Sequence, residues 1–244
     1  MAVTFLSFHS VVSRAVRRSN LMKKCQTTTY RKFSSDAQIR EDFYWWPTYF
    51  SRDEQRALLS ASLFKLDGME NRRMRKKREA YWASLGVPNS EIIKHFAPDE
   101  MYDFAEASSL NLQGAFVQSS VVPLKGHFDG VIHHYREMHL SSWPVERYPE
   151  LQRILDRLYS LCPTQDVQTH ILHLASYGDI LPHVDNLDAS GSWILGVSLG
   201  DERLLRLESS NRSAEDFCLS LPSGSVYLQR LVPQFHAIGL TAKA

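Results

Sequence analysis

A histidine and an aspartate two residues apart, His183 and Asp185, stand in LPHVDN, shortly before the apolar run WILGVSL. Side chains alternate faces along a strand, so this spacing puts both groups on one side of an extended backbone. Two histidines and one carboxylate on one face suit an Fe(II) ion, because they leave coordination positions open for a substrate and dioxygen. A solvated turn would accept the same pair without any function, so the remainder of the chain has to decide between these alternatives.

The chain has a second copy of this pattern, His127 and Asp129 in GHFDGVIHHYRE. This copy lies in an irregular region before a helix, whereas His183 follows a Gly and a Pro between two strand-like segments. A structural or hydrogen-bonding role is therefore favoured over metal binding for His127 and Asp129.

A zinc hydrolase that uses His170, His173 and His183 is a weaker hypothesis. The first two histidines stand in THILHLASY, a strand-like run in which a spacing of three directs side chains to opposite faces. They would not converge on one tetrahedral ion.

The elements that must position these residues change character along the chain. Ser51 and Glu54 form a capping box ahead of an apolar helical pattern. A further apolar stripe predicts a helix over 147–161. After Pro163 the pattern changes to short strand-like runs, which predict antiparallel strands within 167–229 with the helix packed on their outside. Helices followed by closely spaced strands indicate an α+β fold with an antiparallel sandwich or barrel.

Residues 68–110 form a polar, irregular stretch that includes the basic run RRMRKKR at 72–78. Such a run could contact nucleic acid, but a solvated helix face is the more frequent explanation.

Composition narrows the class of protein. The chain has 244 residues, ordinary apolar and charged fractions, and three cysteines without a C-x-x-C spacing. These features argue against a disulfide framework and a cysteine zinc site, and they favour a reducing compartment. No apolar run approaches the roughly 18 residues that cross a bilayer, so no membrane span is expected.

The first 35 residues contain seven Lys or Arg and no acidic residue. They are also rich in Ser and Thr, and Val3 to Val16 can form a basic amphipathic helix. This composition is typical of a mitochondrial transit peptide, and a basic disordered tail is the alternative. We therefore expect residues 1–33 to target the chain to the mitochondrial matrix and to lie outside the fold.

Longer motifs carry a resemblance to a known family. THILHLASYGDILPHVDN, SGSWILGVSLGDERLLRLE, LPSGSVYLQR and the upstream HFDGVIHHYRE resemble AlkB-type Fe(II)/2-oxoglutarate dioxygenases, in particular their mitochondrial branch. The resemblance covers residues 40–230, with a poorly matched basic insertion at about 68–115. It implies a double-stranded β-helix, or jelly roll, with flanking N-terminal helices.

The resemblance also implies roles for individual residues. His183 and Asp185 would be two of the three iron ligands, and the hydroxyl group of Tyr227 would contact 2-oxoglutarate. Fe(II) would be the metal, with 2-oxoglutarate and dioxygen as co-substrates. Cellular links to fatty-acid metabolism and programmed necrosis are implied by the branch alone.

The tail, residues 231–244, departs from the family pattern. The family's third ligand lies about a dozen residues beyond the tyrosine and is followed by a strand with R-x-S-x-x-x-R, which binds 2-oxoglutarate. Here LVPQFHAIGLTAKA follows Arg230, has no strand periodicity and contains no arginine. His236 is the candidate third ligand, about three residues early, and Arg230 is expected to be structural. We therefore expect a C-terminally incomplete jelly roll with a neighbouring strand edge exposed.

Two functions from different classes remain open. The first is a mitochondrial dioxygenase that hydroxylates or oxidatively demethylates an undetermined protein, metabolite or RNA. The second is a catalytically impaired, truncated dioxygenase fold that acts as a binding module. The altered tail leads us to expect weak Fe(II) binding and slow turnover of 2-oxoglutarate.

Overall fold

The computed structural model describes residues 3–7, 37–40, 42–88, 95–106, 130–164, 167–183, 193–209, 217–230 and 235–242. Its helices are α1 (Arg52–Met69), α2 (Arg72–Ser84) and α3 (Leu151–Tyr159), with a short 3-10 turn at Asp99–Met101. The described part of the chain contains no helix that is long and apolar enough to cross a membrane.

Ten strands form one antiparallel sheet. They are β1 (Val3–Ser7), β2 (Ala37–Arg40), β3 (Phe43–Trp46), β4 (Ile132–Leu140), β5 (Thr169–His183), β6 (Trp193–Gly200), β7 (Arg203–Ser209), β8 (Phe217–Leu221), β9 (Val226–Arg230) and β10 (Phe235–Ala242). Their order is β2-β3-β9-β6-β1-β5-β10-β7-β8, and β4 pairs with β5 outside this path. The antiparallel strands within 167–229 and a helix within 147–161 are thereby confirmed.

The long strand β5 belongs to both halves of the sheet. Its residues 170–174 pair with β1, whereas Ile180 and His183 pair with β10. Between the halves lies a buried cluster, here called the inner cluster, with members from β3, β6 and β9 on one side and from β7, β8 and β10 on the other. β5 therefore connects two sheet halves that pack face to face.

Helices cover the outer face of the sheet half that contains β6 and β9. The outer cluster combines apolar residues of α1 and α3 with those of β5, β6 and β9. In α3 the buried residues recur at helical spacing: Leu151, Ile154, Leu155 and Leu158. α1 begins with the expected capping box, in which Glu54 N donates to the Ser51 hydroxyl oxygen at 3.3 Å and Ser51 N donates to the Glu54 carboxylate at 2.8 Å.

The basic run at 72–78 is helical, which agrees with the favoured interpretation as a solvated helix face, although the surrounding stretch 68–110 was expected to be irregular. Asn71 caps α2 by accepting a hydrogen bond from Met74 N at 3.0 Å. The other basic residues of the run are exposed, as expected for a solvated face, but Arg78 is buried and so is Trp82 four positions later. This spacing of four marks the buried face of α2, which the surrounding exposed charges conceal in the sequence.

Both ends of the chain differ from expectation. The tail contributes β10, which pairs with β5 and β7, so the expected absence of a strand beyond Arg230 is wrong. Val3–Ser7 is a strand paired with β5 and β6, so these five residues are neither helical nor outside the fold. Their role in targeting stays a prediction, and the rest of the leader, residues 8–33, lies outside the described residues.

Candidate functional site

His183 is the last residue of β5 and lies opposite Ile238 of β10. The next pair joins Ile180 to Leu240, so three steps on β5 match two on β10, and a bulge falls at Leu181 and Pro182. Opposed residues share a face, and Leu240 belongs to the inner cluster. The bulge therefore places His183 on the inner face of the sheet, while Leu181 is 37% exposed.

A backbone carbonyl orients the imidazole ring of His183. Its Nδ1 lies 2.9 Å from the carbonyl oxygen of Leu181. A carbonyl oxygen only accepts hydrogen bonds, so Nδ1 is the donor in this contact. This is the arrangement in which a histidine binds a metal ion through Nε2 while a backbone carbonyl fixes the ring. The ring of His183 thus fits a role as an iron ligand.

His236 lies on the strand next to His183. It is two residues before Ile238, which faces His183 across the ladder, and a register shift between Phe235 and Ala237 makes it the extra residue of a bulge. The backbone of the tail thus approaches the end of β5 that carries His183. Asp185, as well as His127 and Asp129 of the second pattern, lies outside the described residues.

Tyr227 is buried in the inner cluster on β9. Its ring stacks on Phe43 with centroids 5.7 Å apart and planes 6° from parallel. The ring also lies against Gly196 of β6, where a Cβ atom would overlap it. A glycine on β6 and an aromatic ring on β3 therefore fix the position of the tyrosine.

Replacing Gly196 with alanine is expected to lower the free energy of unfolding by about 1–3 kcal/mol, because the new methyl group displaces the ring of Tyr227. Urea unfolding measures this change. Gly68 is the matched control, since it is helical with no atom within 4 Å of an added Cβ. Its alanine variant should instead gain about 0.5–1 kcal/mol. Equal effects of the two substitutions would contradict the packing of Tyr227 on Gly196.

Arg203 of β7 is a fully buried cation. Its Nη1 donates to Gly178 O and its Nη2 to Ala175 O, both at 2.7 Å, which ties β7 to the middle of β5. Burial lowers its pKa, against the charges of Asp201, Asp99 and Asp179, which raise it. Two of the five guanidinium N–H groups are thus used on backbone carbonyls. Arg230 has an exposed side chain, and its backbone N–H donates to the backbone carbonyl of Asp42 at 2.8 Å.

The two other histidines of β5 lie apart from His183. His170 is opposite His139, and its Nε2 lies 3.1 Å from a carboxylate oxygen of Glu137. His173 is opposite Arg136, an odd number of residues from position 139, and so takes the other face. Within the described ranges no three potential ligands gather as a metal site. The geometry therefore does not support the zinc hydrolase hypothesis.

Sequence reasoning missed a buried ionic network on the helix side of β5. Arg136 Nη1 donates to Asp67 at 2.8 Å and to Glu70 at 2.6 Å, and its Nε donates to His173 Nδ1 at 2.7 Å. Arg78 reaches the same two carboxylates at 3.1 Å and 2.6 Å. The partners are far apart in sequence, so no local motif predicts this network.

An aromatic ring completes the network. Tyr102 lies under both guanidinium groups, with its centroid 4.9 Å from Arg78 and 4.3 Å from Arg136. Burial raises its pKa to about 12. Burial and the neighbouring Arg136 hold the pKa of His173 well below its usual range, so the imidazole is neutral and accepts at Nδ1. The network joins α1, α2, β4 and β5 into one unit.

The chain also matches a known protein family. The chain belongs to the 2OG-Fe(II) oxygenase superfamily, whose family model matches residues 42–237 and so spans His183, Asp185, Tyr227 and His236. The AlkB-type resemblance seen in the sequence is confirmed by two curated relatives, both named alpha-ketoglutarate-dependent dioxygenase alkB homolog 7, mitochondrial.

The bovine (Bos taurus) relative is 34% identical over 104 residues, which are 43% of this chain and 47% of the relative. The mouse (Mus musculus) relative is 34% identical over 106 residues, with the same coverage of each chain. The chain thus matches about half the length of these curated relatives.

Proposed function

We propose that this protein is an AlkB-type Fe(II)/2-oxoglutarate dioxygenase that hydroxylates or oxidatively demethylates its substrate. The observation that carries the proposal is the inner-face position of His183, with Nδ1 bonded to the Leu181 carbonyl at 2.9 Å. Asp185 and His236 would complete the ligand set, because both lie within the span matched by the family. When bound, iron and 2-oxoglutarate together supply the activation of dioxygen for the oxidation of a C–H bond.

The remaining residues of the site would orient 2-oxoglutarate and exclude bulk water. Tyr227, held between Phe43 and Gly196, would hold its hydroxyl group toward 2-oxoglutarate in a fixed orientation. The inner cluster would keep bulk water away from the reacting atoms, which strengthens every polar contact there. We also propose that the two packed sheet halves are those of a jelly roll, with β5 shared between them.

The compartment we propose is the mitochondrial matrix. Its support is the acid-free basic leader of residues 1–35 and the word "mitochondrial" in the names of both relatives. The substrate class stays open among protein, metabolite and RNA.

A second candidate, a catalytically impaired binding module, is favoured by one observation. Arg203, the arginine buried on the inner side of β7, donates to two backbone carbonyls, so fewer of its N–H groups remain for the distal carboxylate of 2-oxoglutarate. A carboxylate transferred from water without a paired partner loses solvation that nothing replaces. These contacts favour a fold that binds 2-oxoglutarate weakly.

The experiment that separates these candidates appends a strand carrying R-x-S-x-x-x-R to the chain. Succinate formation at limiting 2-oxoglutarate should rise about tenfold to a hundredfold, since a charged hydrogen-bonded pair contributes roughly 1.5–3 kcal/mol. The matched control is the same extension with glutamine in place of both arginines, which should give no gain. His236→Ala should remove activity from the extended form.

Two results would decide against the proposal. If neither the original nor the extended chain binds iron and forms succinate, the binding module is favoured. Full turnover without the extension and after His236→Ala would show that another ligand and another cation serve the reaction.

A further inference from the structure

β1 lies between β5 and β6, whose facing edges would have no hydrogen-bond partner strand without it. Its residues 3–7 pair antiparallel with residues 170–174 of β5 on one side, and its residues 3–6 pair with 197–200 of β6 on the other. β5 and β6 consequently run parallel to each other, two strand spacings apart, or about 9.6 Å. Without β1, the described sheet would contain a groove one strand wide, with backbone donors and acceptors on both walls.

Packing holds the two walls of this groove in place. Ile171 of β5 and Val197 of β6 are both fully buried in the outer cluster beneath α1 and α3. Leu172 of β5 and Ile194 of β6 are anchored in the inner cluster on the opposite face. Closing the groove by direct contact of β5 with β6 would pull these side chains out of both clusters.

The register also specifies which sequence fits the groove. Position 5 lies opposite Leu172 and Ser198, on the inner face. Position 6 lies opposite Ile171 and Val197, whose side chains both belong to the outer cluster. An incoming strand therefore needs apolar residues at two successive positions, one for each face. The leader sequence VTFLS supplies Phe5 and Leu6 there.

We propose that the groove between β5 and β6 is a strand-acceptor site and that Val3–Ser7 occupies it as the donor strand. The ligand that it fits is an extended peptide, antiparallel to both walls, with adjacent apolar residues at the positions of Phe5 and Leu6. Removal of the leader would leave both walls unpaired and would open the site to the same segment added in trans. This inference is independent of the proposed oxidation chemistry.

The test uses a variant that lacks residues 1–9. The backbone amides within 170–174 and 197–200 that donate to β1 should exchange with deuterium at least about tenfold faster than in the full chain, whereas Ser198 N, which donates to Ser225 O, serves as an internal reference. A synthetic peptide of residues 2–10 should bind this variant, measured by calorimetry, and should restore the protection, but it should not bind the full chain. The matched control peptide carries Phe5→Pro, which removes a backbone donor and should abolish binding.

A point variant keeps the proposal testable if the shortened chain does not fold. In the full chain, Phe5→Pro should speed exchange at the same two segments, whereas Ser10→Pro, beyond the end of β1, should leave it unchanged. Unchanged exchange in Phe5→Pro, or equal binding of both peptides to the shortened variant, would overturn the proposal.

Discussion

Replacing His183 with alanine is expected to weaken Fe(II) binding by at least about 100-fold, because loss of a ligand costs no less than loss of the groups that orient one. In the proposed site Nδ1 donates to the Leu181 carbonyl, so Nε2 would be the coordinating atom, and alanine supplies no atom in its place. The measurement is an anaerobic Fe(II) titration of the purified full chain, accompanied by the thermal unfolding midpoint. We expect that midpoint to change little in the absence of metal, since His183 is only half-buried at the end of β5.

The matched control for this experiment is His95→Ala. His95 is exposed and lies far from the end of β5 in sequence, so its removal should leave the Fe(II) affinity unchanged. Equal affinities of the wild-type chain and His183→Ala would exclude His183 as a ligand. A parallel loss in His95→Ala would show that the titration reports nonspecific binding to histidine.

Replacing Arg136 with alanine is expected to lower the free energy of unfolding by about 3–5 kcal/mol, the cost of removing one partner from a buried ionic network. The change leaves Nδ1 of His173 without its donor at 2.7 Å. It also leaves the carboxylates of Asp67 and Glu70 with Arg78 as their shared cation. Urea unfolding followed by circular dichroism gives the measurement.

Arg153→Ala serves as the control, because Arg153 is an exposed arginine on α3. Its effect should stay within about 0.5 kcal/mol, as for most surface substitutions. Arg136→Lys should fall between the two variants, since an ammonium group keeps the charge but cannot reproduce the planar set of donors. A loss below about 1 kcal/mol for Arg136→Ala would show that the network adds little to stability.

Local sequence patterns predicted those features of the helices that depend on contacts between residues close in sequence. The capping box at Ser51 and the apolar stripe of α3 depend on neighbours three or four residues away, and both were read correctly. For α2 a solvated helix face was predicted at 72–78, but its buried residues, Arg78 and Trp82, were not, because they stand among exposed charges. β10 was missed because Pro233 and Gly239 interrupt the alternation, and pairing with β5 and β7 determines that strand instead.

The same distinction applies to the candidate site. The spacing of two predicted that His183 faces inward with its neighbour, but the bulge at Leu181 and Pro182, which fixes its face, depends on the register with β10. Arg136 and Glu70 lie 66 residues apart in sequence, so their contact follows from the fold alone. Family resemblance alone suggests the role of Tyr227, which stays a prediction, whereas its contact with Gly196 depends on the pairing of β6 with β9.

The position of β1 has a consequence for the order of events during biosynthesis. Val3 pairs with Gly200, so the first strand to leave the ribosome is among the last to find both of its neighbours. At roughly 5–20 residues per second, translation leaves this segment without its sheet partners for about 10–40 seconds. Pairing of such high contact order is also slow once the chain is complete. The same residues could therefore be read by a targeting receptor early and enter the sheet late, so that one segment serves two roles separated in time.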